Sequence, residues 1–233
     1  MDQALFHLIN EQWTHPALDL FMGVVSDMKI WQPVLVVVGL CLLVFGGFHG
    51  RAFVVAMVIT LVLVETLVVR TLKSAIGRPR PKQSQTVRLV QLQKATPKIL
   101  TIFQQPRVHY SAEKDLRGAG EGSSFPSGHV TNNVIAAVFC TLFFRRWGWL
   151  YFVFAALVGY SRIYLGAHWP SDVLATALMA AALALLMVAL LEWLWRRAGH
   201  RWAPELFARH PSLVAQVCNL HPPESQVSNL RHE

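Results

Sequence analysis

Three short patches, far apart in the chain, carry side chains suited to moving a phosphoryl group. Lys73 is followed, after six residues, by Arg80-Pro81. Pro126-Ser127-Gly128-His129 is the second patch, and Ser161-Arg162, His168 and Asp172 make the third. Together they hold three cations, two histidines, a carboxylate and a glycine. Arginine presents a planar fork to phosphate oxygens and lysine a compact charge. Pro126 stops a preceding helix, and Ser127 suits the N-cap of the next. Gly128 and His129 then fall in a first turn whose free N–H groups seat an anion, and Gly128 leaves that backbone open to close approach. Asp172 follows His168 by four residues at the start of another helix. Its oxygen is placed to accept the Nδ1 proton, which would leave Nε2 free as a nucleophile. Each patch alone has a plainer reading: a basic membrane edge, a capped helix, a His-Asp staple across a loop. Their presence together favours chemistry.

The elements that must position these patches are membrane helices. Of 233 residues, 54% are hydrophobic and 15% charged, against roughly 25% charged in soluble domains. Apolar runs lie at about 31–48, 52–72, 130–144, 149–165 and 173–195, each near the roughly 17–25 residues that span a bilayer. Backbone groups without water must be satisfied within the segment, so helices are expected. The reading is an all-α, polytopic transmembrane bundle of five to six spans over residues 1–202, in preference to a soluble all-α protein. Residues 1–30 are expected to pack on the outer face as amphipathic helix, the alternative being a lip that guides lipid. Residues 82–125 are expected to be an extracytoplasmic loop or lid, with Gly118, Gly120 and Gly122 read either as a hinge or as part of a disordered linker. Residues 203–233 read as a polar cytoplasmic tail. Arg51, Arg145, Arg146, Arg196, Arg197 and Arg201 fall on one side if the spans alternate, and the positive-inside rule makes that side cytoplasmic. All three patches then share the extracytoplasmic face. The absence of a basic n-region, with Glu11, Asp19 and Asp27 near the start, argues against a cleaved leader.

With the three patches in order, the chain resembles the type-2 phosphatidic acid phosphatase superfamily of integral-membrane lipid phosphatases. The resemblance implies that Lys73, Arg80 and Arg162 hold the phosphate with Ser127 and the Gly128 N–H. It implies that His168 attacks phosphorus to form a phosphohistidine. His129 protonates the departing oxygen and then activates water, while Asp172 orients His168. Arg78-Pro79 precedes Arg80-Pro81, so two arginines compete for one role, and the family spacing selects Arg80. No cofactor is implied, and no carboxylate cluster suggests a metal. The net charge of +8 belongs to cytoplasmic anchors and the phosphate site; no nucleic-acid motif accompanies it. Cys41, Cys140 and Cys218 suggest neither a metal site nor a disulfide framework.

The expected partners are membrane lipids and a lipid phosphate substrate. Undecaprenyl diphosphate ranks first, then lipid A, phosphatidate or phosphatidylglycerol phosphate. A transporter or flippase that binds lipid phosphate without cleaving it would use the same cations, but it leaves the two histidines and Asp172 unexplained. A silent scaffold would be expected to lack a motif position, and none is missing. Glu65 stands eight residues before Lys73 in the middle of a span. An intramembrane acid is a functional candidate by default, although a hydrogen-bonded packing residue is the alternative.

Overall fold

The computed structural model describes residues 1–93, 100–101, 104–111, 123–144 and 146–214. Helix α1 (Asp2–His7) runs into a π-type turn (Leu8–Gln12), followed by α2 (Pro16–Ser26) and α3 (Met28–Phe45). Helix α4 (Gly47–Leu63) passes through a second π-type turn (Val64–Val69) into α5 (Arg70–Ile76) and the short α6 (Pro81–Ser84). Strands β1 (Arg88–Gln91) and β2 (Arg107–Tyr110) come next, then α7 (Gly128–Phe143), a 3₁₀ turn (Gly148–Leu150) and α8 (Tyr151–Tyr164). The long α9 (Pro170–Trp202) and α10 (Pro204–Arg209) complete the described elements.

Three stretches are long and apolar enough to cross a membrane: Met28–Phe45, Gly47–Ser84 and Pro170–Trp202. Helices α7 and α8, at 16 and 14 residues, are shorter. The burial pattern suits a lipid solvent. On α3 only Ile30 is buried, while Val34, Leu35, Val36, Val37, Val38 and Leu40 are exposed. In water that surface would be a large unpaired apolar patch; in a bilayer it meets lipid. The interior is built around α7, whose Val130, Val134, Ile135, Ala137, Val138, Phe139 and Phe143 are all buried. Helix α9 meets it with Thr176, Ala180, Ala184 and Val188, one residue per turn and all buried. Small side chains at that spacing let two helices approach closely where no hydrophobic effect drives them together.

The bundle has two unlike ends. Phe48 stacks on His210 and lies against Trp195, and Phe53 packs on Phe143 and Phe144. The basic residues Arg51, Arg196 and Arg197 therefore gather at that end. The opposite end receives the C-terminus of α5 and the N-termini of α7 and α9, and all three sequence patches lie there.

Three features depart from the sequence reading. Residues 1–26 pack as expected, but they do more than cover a face. Phe6 and Ile9 are buried against Val87, Ile163, Tyr164 and Trp169, and Asn10 donates to the carbonyls of Arg88 and Tyr164 at 2.9 and 2.7 Å. The loop after α6 holds an antiparallel hairpin in which Arg88 faces Tyr110 and Gln91 faces Arg107. Arg88 is tied to Asp19 of α2 at 2.5 Å, which anchors that hairpin to the N-terminal helices; the glycines 118, 120 and 122 lie outside the described residues. The start of the expected tail is also packed. Val214 is buried, and Glu192 accepts from the Leu213 N–H at 2.8 Å. The polar composition of 203–233 hid that short return.

Candidate active site

The first patch begins where α5 stops. Gly77 takes the left-handed conformation at φ 60°, and its N–H bonds the Lys73 carbonyl, a helix end that glycine adopts without a Cβ penalty. Arg78-Pro79-Arg80-Pro81 then leaves the helix, and the proline after each arginine biases that arginine toward extended backbone. The two arginines diverge. Arg80 lines a cavity together with Lys73. Arg78 turns away: Nη1 donates to Asp172 Oδ1 at 2.6 Å and to Ser171 Oγ at 2.9 Å, and Nη2 donates to Asp2 Oδ2 at 2.8 Å. Its guanidinium also sits over the Trp169 ring. Of the two competing arginines, Arg80 has the cavity and Arg78 the carboxylates.

The second patch starts α7. Ser127 occupies the N-cap position, but its hydroxyl makes no capping bond, contrary to expectation. Its Oγ is buried with no partner among the described residues. The Ser127 N–H donates to Thr176 Oγ1 at 3.1 Å, which fastens the start of α7 to α9. A Cβ at position 128 would lie 3.6 Å from Glu65 Oε2 and 3.9 Å from Lys73 Nζ. Glycine there keeps that corner open.

The third patch spans the α8–α9 turn. His168 is 3% exposed, and its Nδ1 lies 2.6 Å from the Ser124 carbonyl. A carbonyl only accepts, so Nδ1 carries the proton and Nε2 keeps its lone pair. The expected Nδ1–Asp172 bond is replaced by a bridge. Asp172 accepts from Arg78 and, at Oδ2, from Ser124 Oγ at 2.6 Å. The carboxylate thus acts on the imidazole at one remove, because Ser124 bonds both groups. Burial, and then the Arg162 and Arg80 charges, push His168 down to about 3, against a raising effect of the Ser124 bond. The ring is neutral at ordinary pH. Arg162, at the end of α8, donates through Nη1 to Ser26 Oγ, and its Nε is buried without a partner among the described residues. The N-terminal helices therefore hold two of the site's arginines: Ser26 holds Arg162, and Asp2 holds Arg78. Burial works against ionisation of Asp2, but bonds from Ser171 and Arg78 outweigh it and lower its carboxyl from the usual range.

One cavity of about 390 Å³ brings together Lys73, Arg80, Gly128, His129, Arg162 and His168. Glu65, Asn132 and Met28 complete its lining. Ser127 and Asp172 do not line it; both are buried. A second, largely apolar cavity of about 220 Å³, with Trp31, Leu35 and Phe154 on its walls, meets the first at Met28 and His129. Asp2, Ser26, Arg78 and Ser124 were not legible as site residues. Their signals were weak: Ser124 stands next to the second patch, and Arg78 was visible only as a rival to Arg80.

Residues 50–196 match the family model of the PAP2 superfamily. A lipid A 4'-phosphatase of Bacteroides thetaiotaomicron is 29% identical over 169 residues, covering 70% of this chain and 65% of that protein. An undecaprenyl-diphosphatase of Sulfolobus acidocaldarius is 41% identical over 66 residues, 28% of this chain and 32% of the relative. The chain thus spans less than two thirds of the length of either. Two solved structures share its fold. A PAP2-type phosphatidylglycerolphosphate phosphatase from Bacillus subtilis superposes with a TM-score of 0.53 at 20% identity, over 81% of this chain and 83% of that one. LpxE of Aquifex aeolicus gives 0.51 at 24% identity, over 80% and 94%. The matched stretch contains all three patches and the helices that converge them, and the chain belongs to the PAP2 superfamily.

Proposed function

We propose that the protein hydrolyses a phosphate from a membrane lipid through a phosphohistidine intermediate, without a metal ion. The observation that carries this reading is a single cavity holding two imidazoles and three cationic side chains. His168 Nε2 attacks phosphorus, and the bond from phosphorus to the leaving oxygen breaks opposite it. His129, which gains a proton as the negative charge of the phosphate arrives beside its ring, delivers that proton to the leaving oxygen. It then takes a proton from water, which attacks phosphorus and breaks the P–N bond. Lys73, Arg80 and Arg162 spread the charge of the equatorial oxygens, and the Gly128 N–H and the unpartnered Ser127 hydroxyl complete the cradle. Phosphoryl transfer depends mostly on such positioning and neutralisation.

The lipid-facing α3 and the apolar cavity beside His129 favour a substrate whose tail stays in the bilayer. The basic residues at the far end support a cytoplasmic assignment for that end, which puts the reaction on the extracytoplasmic face of a bacterial inner membrane. Two substrate classes fit. Undecaprenyl diphosphate is the expectation from sequence. A phosphorylated glycolipid is favoured by the broader extent of the match to the Bacteroides lipid A 4'-phosphatase.

The test is phosphate release by purified protein in detergent, with excess EDTA, from a panel of prenyl diphosphates, glycolipid phosphates and glycerophospholipid phosphates. Release from at least one lipid, blocked by vanadate and absent in His168→Ala, is expected. Turnover by His168→Ala, or activity lost on chelation and restored by magnesium, would overturn the mechanism.

A further inference from the structure

Glu65 is the one carboxylate lining the cavity among the described residues, and the phosphoryl-transfer chemistry gives it no role. It does not act as a hydrogen-bonded packing residue either: no hydrogen bond or ion pair engages its carboxylate among the described residues, and the Lys73 ammonium beside it is equally unengaged. Its place has a structural cause. In an unbroken α-helix, residues eight apart are offset by about 80° around the axis. The π-type turn Val64–Val69 takes an extra residue per turn, which reduces that offset and brings Glu65 round toward the face of Lys73. Both then approach Gly128, at 3.6 and 3.9 Å from where a Cβ would stand.

The position matters because of depth. Glu65 lies two turns before Lys73 along α4–α5, and Asn132 lies one turn beyond His129 along α7. Both are therefore deeper in the bundle than the groups that hold phosphate and deliver the proton. A substrate anchored by its tail must thread its leaving group past this level. An unpaired carboxylate there accepts hydrogen bonds from hydroxyl or amide groups, and it repels a second phosphate.

We propose that Glu65, assisted by Asn132, recognises the leaving group: it favours a hydroxyl- or amide-bearing headgroup, as in a glycolipid phosphomonoester, over a prenyl diphosphate. This assignment rests on the phosphatase reading and narrows its substrate. It reverses the order expected from sequence.

The experiment compares kcat/KM for a glycolipid phosphomonoester and for farnesyl diphosphate in wild type, Glu65→Gln and Glu65→Ala. Wild type is expected to prefer the glycolipid. Glu65→Gln, which keeps the shape and removes the charge, should raise the diphosphate-to-glycolipid ratio at least tenfold. Glu65→Ala should raise it further, chiefly through a higher KM for the glycolipid. Should Glu65→Ala fail to fold, the near-isosteric Glu65→Gln still decides the matter. A ratio unchanged within twofold, or a wild type that prefers the diphosphate, overturns the Glu65 assignment and leaves the phosphatase reading standing. A wild type that releases phosphate from no lipid defeats the phosphatase reading itself.

Discussion

The two walls of the cavity are built differently. On the side of the proposed nucleophile, His168, Ser124, Asp172, Arg78, Ser171 and Asp2 form a continuous set of hydrogen bonds and ion pairs, and His168, Ser124 and Asp172 are almost wholly buried. On the other side, the His129 ring and the ends of Lys73, Glu65 and Asn132 engage no partner among the described residues, and all four residues are partly exposed. One wall is complete without substrate; the other is left for substrate to complete. The contrast suits the roles proposed for each. A nucleophile gains from a fixed position and a fixed tautomer, while the groups that meet the leaving group and the incoming anion must be free to pair with them.

The largest expected effect comes from breaking the open wall at its proton donor. His129→Gln removes the proposed general acid, a role that typically contributes about 10²–10⁴-fold. That loss should depend on the leaving group. A sugar alkoxide is strongly basic and needs the proton, whereas a phosphate leaving group, with a second pKa of about 6, needs it far less. We expect a loss of about a thousandfold with a glycolipid phosphate and about tenfold or less with farnesyl diphosphate. Equal losses on both would place His129 in binding rather than in proton delivery.

A smaller but sharper effect separates the walls by kinetic parameter. Arg78 does not line the cavity, so Arg78→Ala should lower kcat by about a hundredfold while KM moves little. It should also destabilise the protein, because it strips the cation from a 3%-exposed carboxylate. The cost of leaving a buried charge unpaired is about 3–5 kcal/mol, and the lower end applies because the Arg78 side chain is 37% exposed. Arg78→Lys, which keeps the charge but not the fork that reaches both Asp172 and Asp2, should recover activity only in part. Lys73→Met, on the open wall, should raise KM as well as lower kcat, because Lys73 meets the phosphate itself. The comparison breaks if Arg78→Ala raises KM as much as Lys73→Met does.

What was legible in the sequence follows the same division. The residues proposed to meet the reacting atoms declared themselves by type and spacing: Lys73, Arg80, His129, Arg162 and His168 were all readable, and they line one cavity. The closed wall is made of contacts between distant segments. Asp2 meets Ser171 across 169 positions, and Ser124 meets Asp172 across 48. No local periodicity encodes such pairs. Asp172 was found, but its partner was assigned by proximity in sequence, and the fold inserted Ser124. The helices were readable from their apolar runs because a bilayer demands length and hydrophobicity. The π-type turn was not, because Val64–Val69 is as apolar as an ordinary helical segment apart from Glu65 and Thr66. The hairpin escaped because its strands are four residues each and its anchors, Asn10 and Asp19, lie far upstream.

The smallest effect tests whether the nucleophile's wall is truly closed. His168 is lowered to about 3 in the folded protein by burial and the nearby arginines, against about 6.5 when unfolded. Between those values the unfolded chain binds a proton that the folded chain refuses. Stability therefore falls as pH falls through that window, by up to about 1.4 kcal/mol per unit. Asp2 has the same sign, but its carboxyl starts from 3.8, so its contribution is lost only at more acid pH. Measuring Tm between pH 7 and 5 in wild type and in His168→Gln together isolates the imidazole. Wild type should lose about 2–4 °C per kcal/mol more than His168→Gln over that range, since the variant has nothing to protonate and every other histidine is common to both. Parallel curves for the two proteins would mean that water reaches His168 freely, and the distinction between a sealed and an open wall would go with it.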